Sequence, residues 1–328
     1  MTQGQFRLVL NSEPIVEIIQ DSATDSTTAE KLRLISKIKS FSIDRLGLFP
    51  SDNYTRFVDT EGQPVLWNTS ASLPHKFEPF LWTFPIAGTV PYKGYFTHSL
   101  AIAERDTLRA RGFDAITRPV PAYSTLGFFS DPVLSTMLKY SDDELANLVI
   151  HELTHSTIYS PDNTNFNESL ASFVGDVGSL LFMEHTWGKA HPIIATIRAR
   201  RNDRERFRYF MKQVTEELDS LYSAETTKAH VLEKRKVIFA SWQSRFSSRL
   251  KHFNNPDYYR GFLEWKVNNA RLLSYRRYNS QQSVFSSLYR ITGENFRDFL
   301  GLVKTCEKNS HPWSCVGDLV KGSRAINR

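Results

Sequence analysis

The sequence predicts an α+β fold that is mostly helical and has a small sheet between about residues 60 and 126. Apolar residues recur at helical spacing over long stretches, whereas one early segment is rich in Trp, Phe, Val and Thr and is interrupted by Pro and Gly. No repeat, low-complexity tract or clear linker divides the chain. We therefore expect a single domain over residues 1–328.

The first half of the chain accounts for the sheet. Residues 27–48 carry Leu and Ile at close to helical spacing, which predicts an amphipathic helix. The segment from Gly62 to Phe96 has the composition of short strands and turns. A helix over about 97–111 should end at Gly112, and residues 115–126 favour a further strand.

The second half is expected to be helical throughout. Ser141 followed by Glu144 is a capping-box signature, so one helix should begin there and end before Pro161. A second helix should begin near Asn165 after a tight polar turn. Residues 190–253 are typical of two long antiparallel helices, which we expect to form a projecting αα-hairpin, and residues 258–302 again favour helices.

Composition and charge exclude several classes of protein. The hydrophobic fraction of 41% is too high for a mainly disordered chain. The net charge of +6 is well short of that of a dedicated nucleic-acid binder, so we expect no nucleic-acid partner. No apolar run is long enough for a transmembrane helix. Cys306 and Cys315 are nine residues apart, which fits a loop-closing disulfide better than a zinc cage.

A possible metal site begins with the motif H-E-x-x-H at residues 151–155. Because four residues are slightly more than one helical turn, the imidazoles of His151 and His155 should leave the same helix face and could bind one ion. Glu152 lies beside them and could act as the general base for a water bound to zinc. The pattern therefore indicates a catalytic zinc site.

A catalytic zinc ion needs a third protein ligand and one open position. Glu168 is favoured, because a turn after the first helix would bring the first turn of the second helix against the ion. Asp162 lies in the turn itself and is expected to fall short. Asp176 and Glu184 lie two or more turns further along the second helix. Either could reach the ion only if that helix crossed the first one at a different angle.

Other residues are candidates for roles around the metal. Tyr275 and Tyr278 could donate hydrogen bonds to a developing oxyanion, or could simply pack along a helix. An edge strand over residues 122–127 could align the substrate backbone, or could be a buried strand that precedes a turn. The substrate-binding candidates in this strand are Tyr123, Ser124, Thr125 and Gly127. The arginines between Arg198 and Arg208 could contact anionic lipids, or could form a solvated face.

The chain resembles a bacterial family of predicted aminopeptidases of the zincin type. The resemblance covers about residues 4–305 and depends on four segments: V-P-A-Y-S-T-L-G at 120–127, D-P-V-L-S-T-M-L at 131–138, H-E-L-T-H at 151–155 and N-E-S-L-A-S-F-V-G at 167–175. It implies a zincin-like fold and a gluzincin-like site, with His151, His155 and Glu168 on zinc and Glu152 as the base. Relatives also carry an export signal and a lipidated cysteine, which implies a lipoprotein of the cell envelope or periplasm. That signal is not in this sequence, and a cytoplasmic protein is the alternative.

These observations together predict a zinc metallopeptidase that acts on peptides, with aminopeptidase activity favoured. A zinc endopeptidase is the alternative within this class. A non-catalytic, metal-containing binding protein that uses the helical hairpin is the alternative outside it. The expected partner is a peptide or protein substrate, with peripheral membrane contact as a further prediction. The sequence does not indicate the oligomeric state.

Overall fold

The computed structural model describes residues 10–84, 88–120, 130–224 and 226–326. Within these ranges the chain is mostly helical and has small sheets, as the α+β prediction requires. The α-helices are α1 (Ile15–Gln20), α2 (Ser26–Phe41), α3 (His98–Ala110), α4 (Asp142–Thr157), α5 (Thr164–Trp187), α6 (Pro192–Ser223), α7 (Lys228–Ala240), α8 (Trp242–Leu250), α9 (Pro256–Tyr259), α10 (Asn269–Asn279), α11 (Gln282–Ile291), α12 (Phe296–Thr305) and α13 (Pro312–Ile326). Short 3₁₀ or π segments are Ser42–Leu46, Ser135–Lys139 and Arg260–Glu264.

The described strands form three small sheets rather than the one expected. They are β1 (Glu13–Pro14), β2 (Arg56–Val58), β3 (Trp67–Ser72), β4 (Trp82–Phe84), β5 (Gly88–Val90), β6 (Lys93–Tyr95), β7 (Asp114–Pro119) and β8 (Val133–Leu134). The sheets have the orders β1-β2-β8, β6-β3-β7 and β4-β5. Strands β1, β2 and β8 lie outside the predicted sheet region, and two or three residues are too few to give a hydrophobic period.

The sheet that matters for the site has β3 at its centre. Strand β7 pairs antiparallel with β3 from Trp67 opposite Pro119 to Ser72 opposite Asp114. Helix α3 lies against this sheet, and the Thr69 hydroxyl donates to the carbonyl of Ala101 at 3.0 Å. Helix α10 packs against β3, β7 and α5. It therefore connects the sheet to one of the two predicted metal-binding helices.

The predicted hairpin differs from the structure in its second arm. The first arm is the single helix α6, but the second is broken at Ser241 into α7 and α8. Aromatic side chains of α6 and α8 share one apolar cluster, in which Phe207 and Phe210 contact Phe246. Helix α7 also contacts the sheet, because Arg235 forms an ion pair with Asp114 of β7 at 2.6 Å. The single-domain organisation stays a prediction.

The arginines at the start of α6 contact neighbouring parts of the protein. Their contacts are Arg198 with Glu184, Arg200 with Asp143, Arg201 with the Asp176 carbonyl, Arg204 and Arg208 with the Asp176 carboxylate, and Arg206 with Asp203. Carboxylates of the chain thus balance much of this positive charge and hold α6 against α4 and α5. Contact with a membrane stays an untested prediction, and no helix of the described residues has the length and apolarity to cross a bilayer.

The two cysteines are bonded to each other. Cys306 and Cys315 form a disulfide with a Cα–Cα distance of 5.7 Å, and it links the end of α12 to α13. The Cys306 side chain is fully buried in the main apolar cluster. The sequence prediction of a loop-closing disulfide is therefore confirmed.

Helices α4 and α5 approach closely because α5 has glycine at its contact positions. A Cβ atom at Gly175 would lie 2.9 Å from the backbone oxygen of Asn147 and 3.4 Å from the Cβ of His151. A Cβ at Gly178 would lie 2.8 Å from the Leu46 side chain and 3.2 Å from that of Ile150. Only glycine at these positions allows the present distance between the two helices.

We expect Gly175→Ala to destabilise the protein, because the new methyl group would contact a carbonyl oxygen that belongs to a helix backbone. The free energy of unfolding should fall by about 1–3 kcal/mol, the usual cost of overpacking a core. Gly301→Ala is the matched control, since Gly301 is exposed in α12 and a Cβ there has no atom within 4 Å. That variant should gain about 0.5–1 kcal/mol. Chemical denaturation of both variants measures the difference, and equal stabilities would contradict the close-packing argument.

Candidate metal centre and active site

A short turn fixes how α5 follows α4. Helix α4 ends at Thr157, and in the turn the side-chain amide of Asn167 makes two hydrogen bonds with the backbone of Ser160, at 2.9 and 2.8 Å. Asp162 has a left-handed φ of 61°, and its carboxylate accepts from the Thr89 backbone N–H at 2.8 Å. These contacts place the first turn of α5 beside the last turns of α4.

The start of α4 is also fixed by its sequence. The Glu144 carboxylate accepts from the Ser141 backbone N–H at 3.1 Å, which is one half of the predicted capping box. From this start the helix runs through residues 151–155, with its apolar residues Val149, Ile150 and Leu153 fully buried. The histidines therefore leave the helix on the side that faces α5.

Three ligand atoms meet where the two helices converge. The Nε2 atoms of His151 and His155 are 3.3 Å apart, and the Oε2 atom of Glu168 lies 3.3 Å from the first and 3.6 Å from the second. Tetrahedral zinc with ligand bonds of about 2.0–2.1 Å separates its ligand atoms by about 3.3–3.4 Å. The three side chains therefore have the donor types and spacing to hold a divalent metal ion such as zinc.

The electrostatics of the three groups reflect this convergence. Burial acts to raise the pKa of the Glu168 carboxyl, but hydrogen bonds from His151 and His155 hold that pKa far below its usual range. Burial acts to lower the pKa of His155, yet the hydrogen bond to Glu168 raises it above the ordinary value. Glu168 is thus an ionised acceptor aimed at both imidazoles, which is the state that a metal ligand requires.

Glu152 lies in the same environment but does not belong to the ligand group. Burial raises the pKa of its carboxyl, the charge of Glu168 raises it further, and the two histidines act in the opposite direction. No hydrogen bond to another described side chain holds the Glu152 carboxylate. A carboxylate of raised basicity that is free to take a proton suits general-base chemistry.

The two predicted oxyanion donors lie in different places. The ring of Tyr278 is 6.0 Å from the His151 ring, measured between centroids. Burial and the charge of Glu168 raise the pKa of its phenol, so it stays protonated at neutral pH. The ring of Tyr275 packs 5.4 Å from Phe207 in the hairpin cluster. The structure therefore brings Tyr278, and not Tyr275, to the metal-binding group.

Several residues next to the site carry no motif in the sequence. The Arg118 guanidinium donates to the Tyr278 hydroxyl at 3.3 Å. Arg277 lies over the ring of Tyr92, with 4.9 Å between the guanidinium carbon and the ring centroid. Burial and the charge of Glu168 raise the pKa of Tyr92. Arg277 precedes Tyr278 in the sequence, but Tyr92 and Arg118 are distant in the chain and only the packing of α10 brings them here.

The other candidate acids are bound elsewhere. Asp176 forms ion pairs with Arg204 and Arg208, and Glu184 pairs with Arg198 at 2.7 Å. Asp162 accepts from Thr89 in the turn. None of the three is close enough to join the ligand group in the described part of the chain. The substrate-binding candidates Tyr123, Ser124, Thr125 and Gly127 lie outside the described residues.

We expect Glu168→Ala to remove most bound metal, because two imidazoles alone leave the ion without its anionic ligand. Protein purified with zinc and dialysed should fall from about one equivalent to well below half, as measured by elemental analysis. Glu184→Ala is the matched control, since it removes an equally buried glutamate from the same helix whose partner is Arg198. It should keep full occupancy. Unchanged zinc in Glu168→Ala would move the third ligand elsewhere.

Comparison with known proteins identifies the family of the chain. None of the curated proteins and none of the solved structures that were compared with the chain matches it. A family model described as "Putative aminopeptidase" matches residues 1–312, which include α4, α5, β7 and α10. The chain therefore belongs to this aminopeptidase family.

Proposed function

We propose that the protein is a zinc-dependent aminopeptidase with a zincin-like active site between α4 and α5. Its family supports hydrolysis of peptides at a coarse level. The observation that carries the zinc assignment is the convergence of His151, His155 and Glu168, with ligand atoms 3.3–3.6 Å apart. A zinc ion bound there would supply a Lewis acid that lowers the pKa of water and polarises a peptide carbonyl.

Glu152 is the group that moves the proton. It follows the first ligand directly in α4, so its carboxylate lies beside the ligand group without taking part in it. As a carboxylate it accepts a proton from the attacking water, and as a carboxylic acid it delivers that proton to the leaving amine. Burial raises the pKa of this carboxyl, which favours both halves of the transfer.

Tyr278 is the best-placed donor for the charge that develops on the peptide oxygen. Its phenol is protonated, and the centroid of its ring lies 6.0 Å from that of the His151 ring. Arg118 donates to the phenol oxygen at 3.3 Å and thereby favours release of the phenol proton toward an acceptor. Tyr275 is not used in this proposal because it lies in the hairpin cluster.

We expect Glu152→Gln to keep zinc and to lose turnover, because Gln has the same shape but cannot accept the proton. The kcat should fall by about 10²–10⁴-fold, the usual contribution of a general base. Glu144→Gln is the matched control on the same helix, since Gln at this capping position still bonds to Ser141. Kinetics with a fluorogenic peptide and elemental analysis measure both quantities. Near wild-type turnover in Glu152→Gln would remove this residue from the mechanism.

A second experiment separates an aminopeptidase from an endopeptidase. An aminopeptidase binds the substrate's free ammonium group, so N-acetylation of a peptide should lower kcat/KM by about 10–100-fold, as expected from the loss of a charged hydrogen bond. Purified zinc-loaded protein is assayed with a short peptide and with its N-acetylated twin, and products are identified by mass spectrometry. Equal rates with internal cleavage would instead establish an endopeptidase.

A further inference from the structure

Two arginines next to Tyr278 have no carboxylate partner among the described residues. Arg118 of β7 donates to the Tyr278 hydroxyl and lies 5.4 Å from the centroid of the same ring. Arg277 of α10 donates to the carbonyl of Pro91 at 3.4 Å and lies over Tyr92. Neither forms an ion pair with any residue in the described ranges. The Nε atoms of both are buried and have no hydrogen-bond partner in this part of the chain.

Outside the described ranges the sequence has one acidic side chain, Glu225, which lies between α6 and α7 in the chain. Three other arginines that the fold covers do have acidic partners. Arg235 pairs with Asp114, Arg208 with Asp176 and Arg200 with Asp143. The arginines beside Tyr278 differ from these three and resemble Arg271, which lies over Trp265 and whose Nε is also buried without a hydrogen-bond partner among the described residues.

An unpaired guanidinium in this position is costly. Arg277 is only 2% exposed, and a charge taken out of water must be compensated by an opposite charge or by strong hydrogen bonds. Burial lowers the pKa of Arg277, whereas Tyr278, Tyr92 and the charge of Glu168 act to raise it, and the charge of Arg118 lowers it further. Cation–π contacts compensate part of this cost, because Arg277 lies over the ring of Tyr92 and Arg118 over the ring of Tyr278. An anion between the two guanidinium groups would compensate much more.

We propose that Arg118 and Arg277 form a subsite that binds a carboxylate of the peptide substrate. This proposal rests on the proposed peptidase function and specifies its substrate class. Guanidinium groups match the planar, bidentate geometry of a carboxylate. The C-terminal carboxylate of a short peptide and the side chain of Asp or Glu offer the same chemistry, so the test must distinguish these two sources.

The position of the subsite limits the length of the substrate. Arg118 contacts Tyr278, and the Tyr278 ring lies 6.0 Å from the ring of a metal-ligand candidate, His151. One residue of extended peptide spans about 3.3–3.6 Å. The Arg118 guanidinium carbon lies 5.4 Å from the Tyr278 centroid, so a carboxylate bound there belongs to a residue within about three positions of the scissile bond. If the carboxylate is terminal, the enzyme cleaves very short peptides.

The kinetic test uses the zinc-loaded full chain and three peptides. They share one apolar sequence of two or three residues and end in a free acid, in an amide, or in an amide with Asp next to the scissile bond. We expect the free acid to exceed the plain amide in kcat/KM by about 10–100-fold, as for a charge-assisted hydrogen bond. If instead the Asp-containing amide has a higher kcat/KM than the plain amide, the bound carboxylate is that of a side chain, and the subsite is still supported.

Variants connect the preference to the arginines. Arg118→Gln should reduce the preference for the carboxylate peptide to within about threefold, mainly through KM, whereas Arg118→Lys should keep part of it because the charge remains. If the Arg277→Gln variant folds, it tests the second arginine in the same way. If that variant does not fold, the result for Arg118→Gln decides. Arg33→Gln is the matched control, since Arg33 is exposed on α2. It should keep the full preference.

Three outcomes would overturn the subsite. Equal kcat/KM for all three peptides would show that no carboxylate is bound. An undiminished preference in Arg118→Gln and Arg277→Gln would place the carboxylate elsewhere. A loss of kcat that is the same for all three peptides in the arginine variants, with the carboxylate preference left intact, would confine these residues to the oxyanion, which every peptide forms.

A binding measurement separates failure of the subsite from failure of the proposed function. N-acetylphenylalanine and N-acetylphenylalanine amide are titrated into the metal-free full chain, and the thermal midpoint is recorded. The acid should raise the midpoint in wild type and in Arg33→Gln, but not in Arg118→Gln, and the amide should not raise it. If the zinc-loaded protein cleaves no peptide while the acid still binds, the hydrolase proposal fails and the subsite stands. If peptides are cleaved and the acid does not bind, the subsite fails alone.

Discussion

The crossing of α4 and α5 is the constraint on which the site depends. Two imidazoles on one helix can share an ion with a carboxylate on another only if the backbones are unusually close at that point. Gly175 provides the closeness, and the hydrogen bonds between Asn167 and Ser160 fix the direction in which α5 leaves the turn. A change of a few degrees in the angle between α4 and α5 would move the Glu168 carboxylate away from the two imidazoles, because metal–ligand distances vary by only tenths of an ångström.

Three consecutive residues at the start of α5 join the separate parts of the site. Asn167 holds the turn, Glu168 faces the histidines, and the Ser169 hydroxyl donates to the carbonyl of Arg277 at 2.9 Å. The last contact docks α10 on α5, and Gln282 reinforces it by donating to the Ser169 carbonyl. The position of Glu168 and the position of the arginine–tyrosine group are thus set by one helical turn, so the two cannot vary independently.

The local sequence was sufficient to predict the two histidines and the turn that follows them. The spacing of His151 and His155 defines a face of α4 by helical geometry alone, and the Pro-terminated turn restricts where the next acid can lie. The partners of Arg118 could not be found in this way, because β7 and α10 meet through packing over a long sequence separation. The same limit explains why Tyr275 and Tyr278 looked equivalent. They are three residues apart on α10, yet Tyr275 packs on Phe207 and Tyr278 approaches His151.

The charges around the ligand group bear on how an aminopeptidase would select its substrates. Glu168 is the acid of the ligand group and Glu152 lies beside it, whereas Asp162 and Asp176 already have donors, so the described residues offer few free acceptors for a substrate ammonium. They offer the guanidinium groups of Arg118 and Arg277, whose Nε atoms have no hydrogen-bond partner in the described part of the chain. A peptide of two or three residues carries both termini within reach of one site, and a longer peptide does not. If the proposed subsite takes a terminal carboxylate, positive charge beside the histidines would favour short peptides, because only in these would that carboxylate reach the arginines while the first peptide bond lies at the candidate metal site.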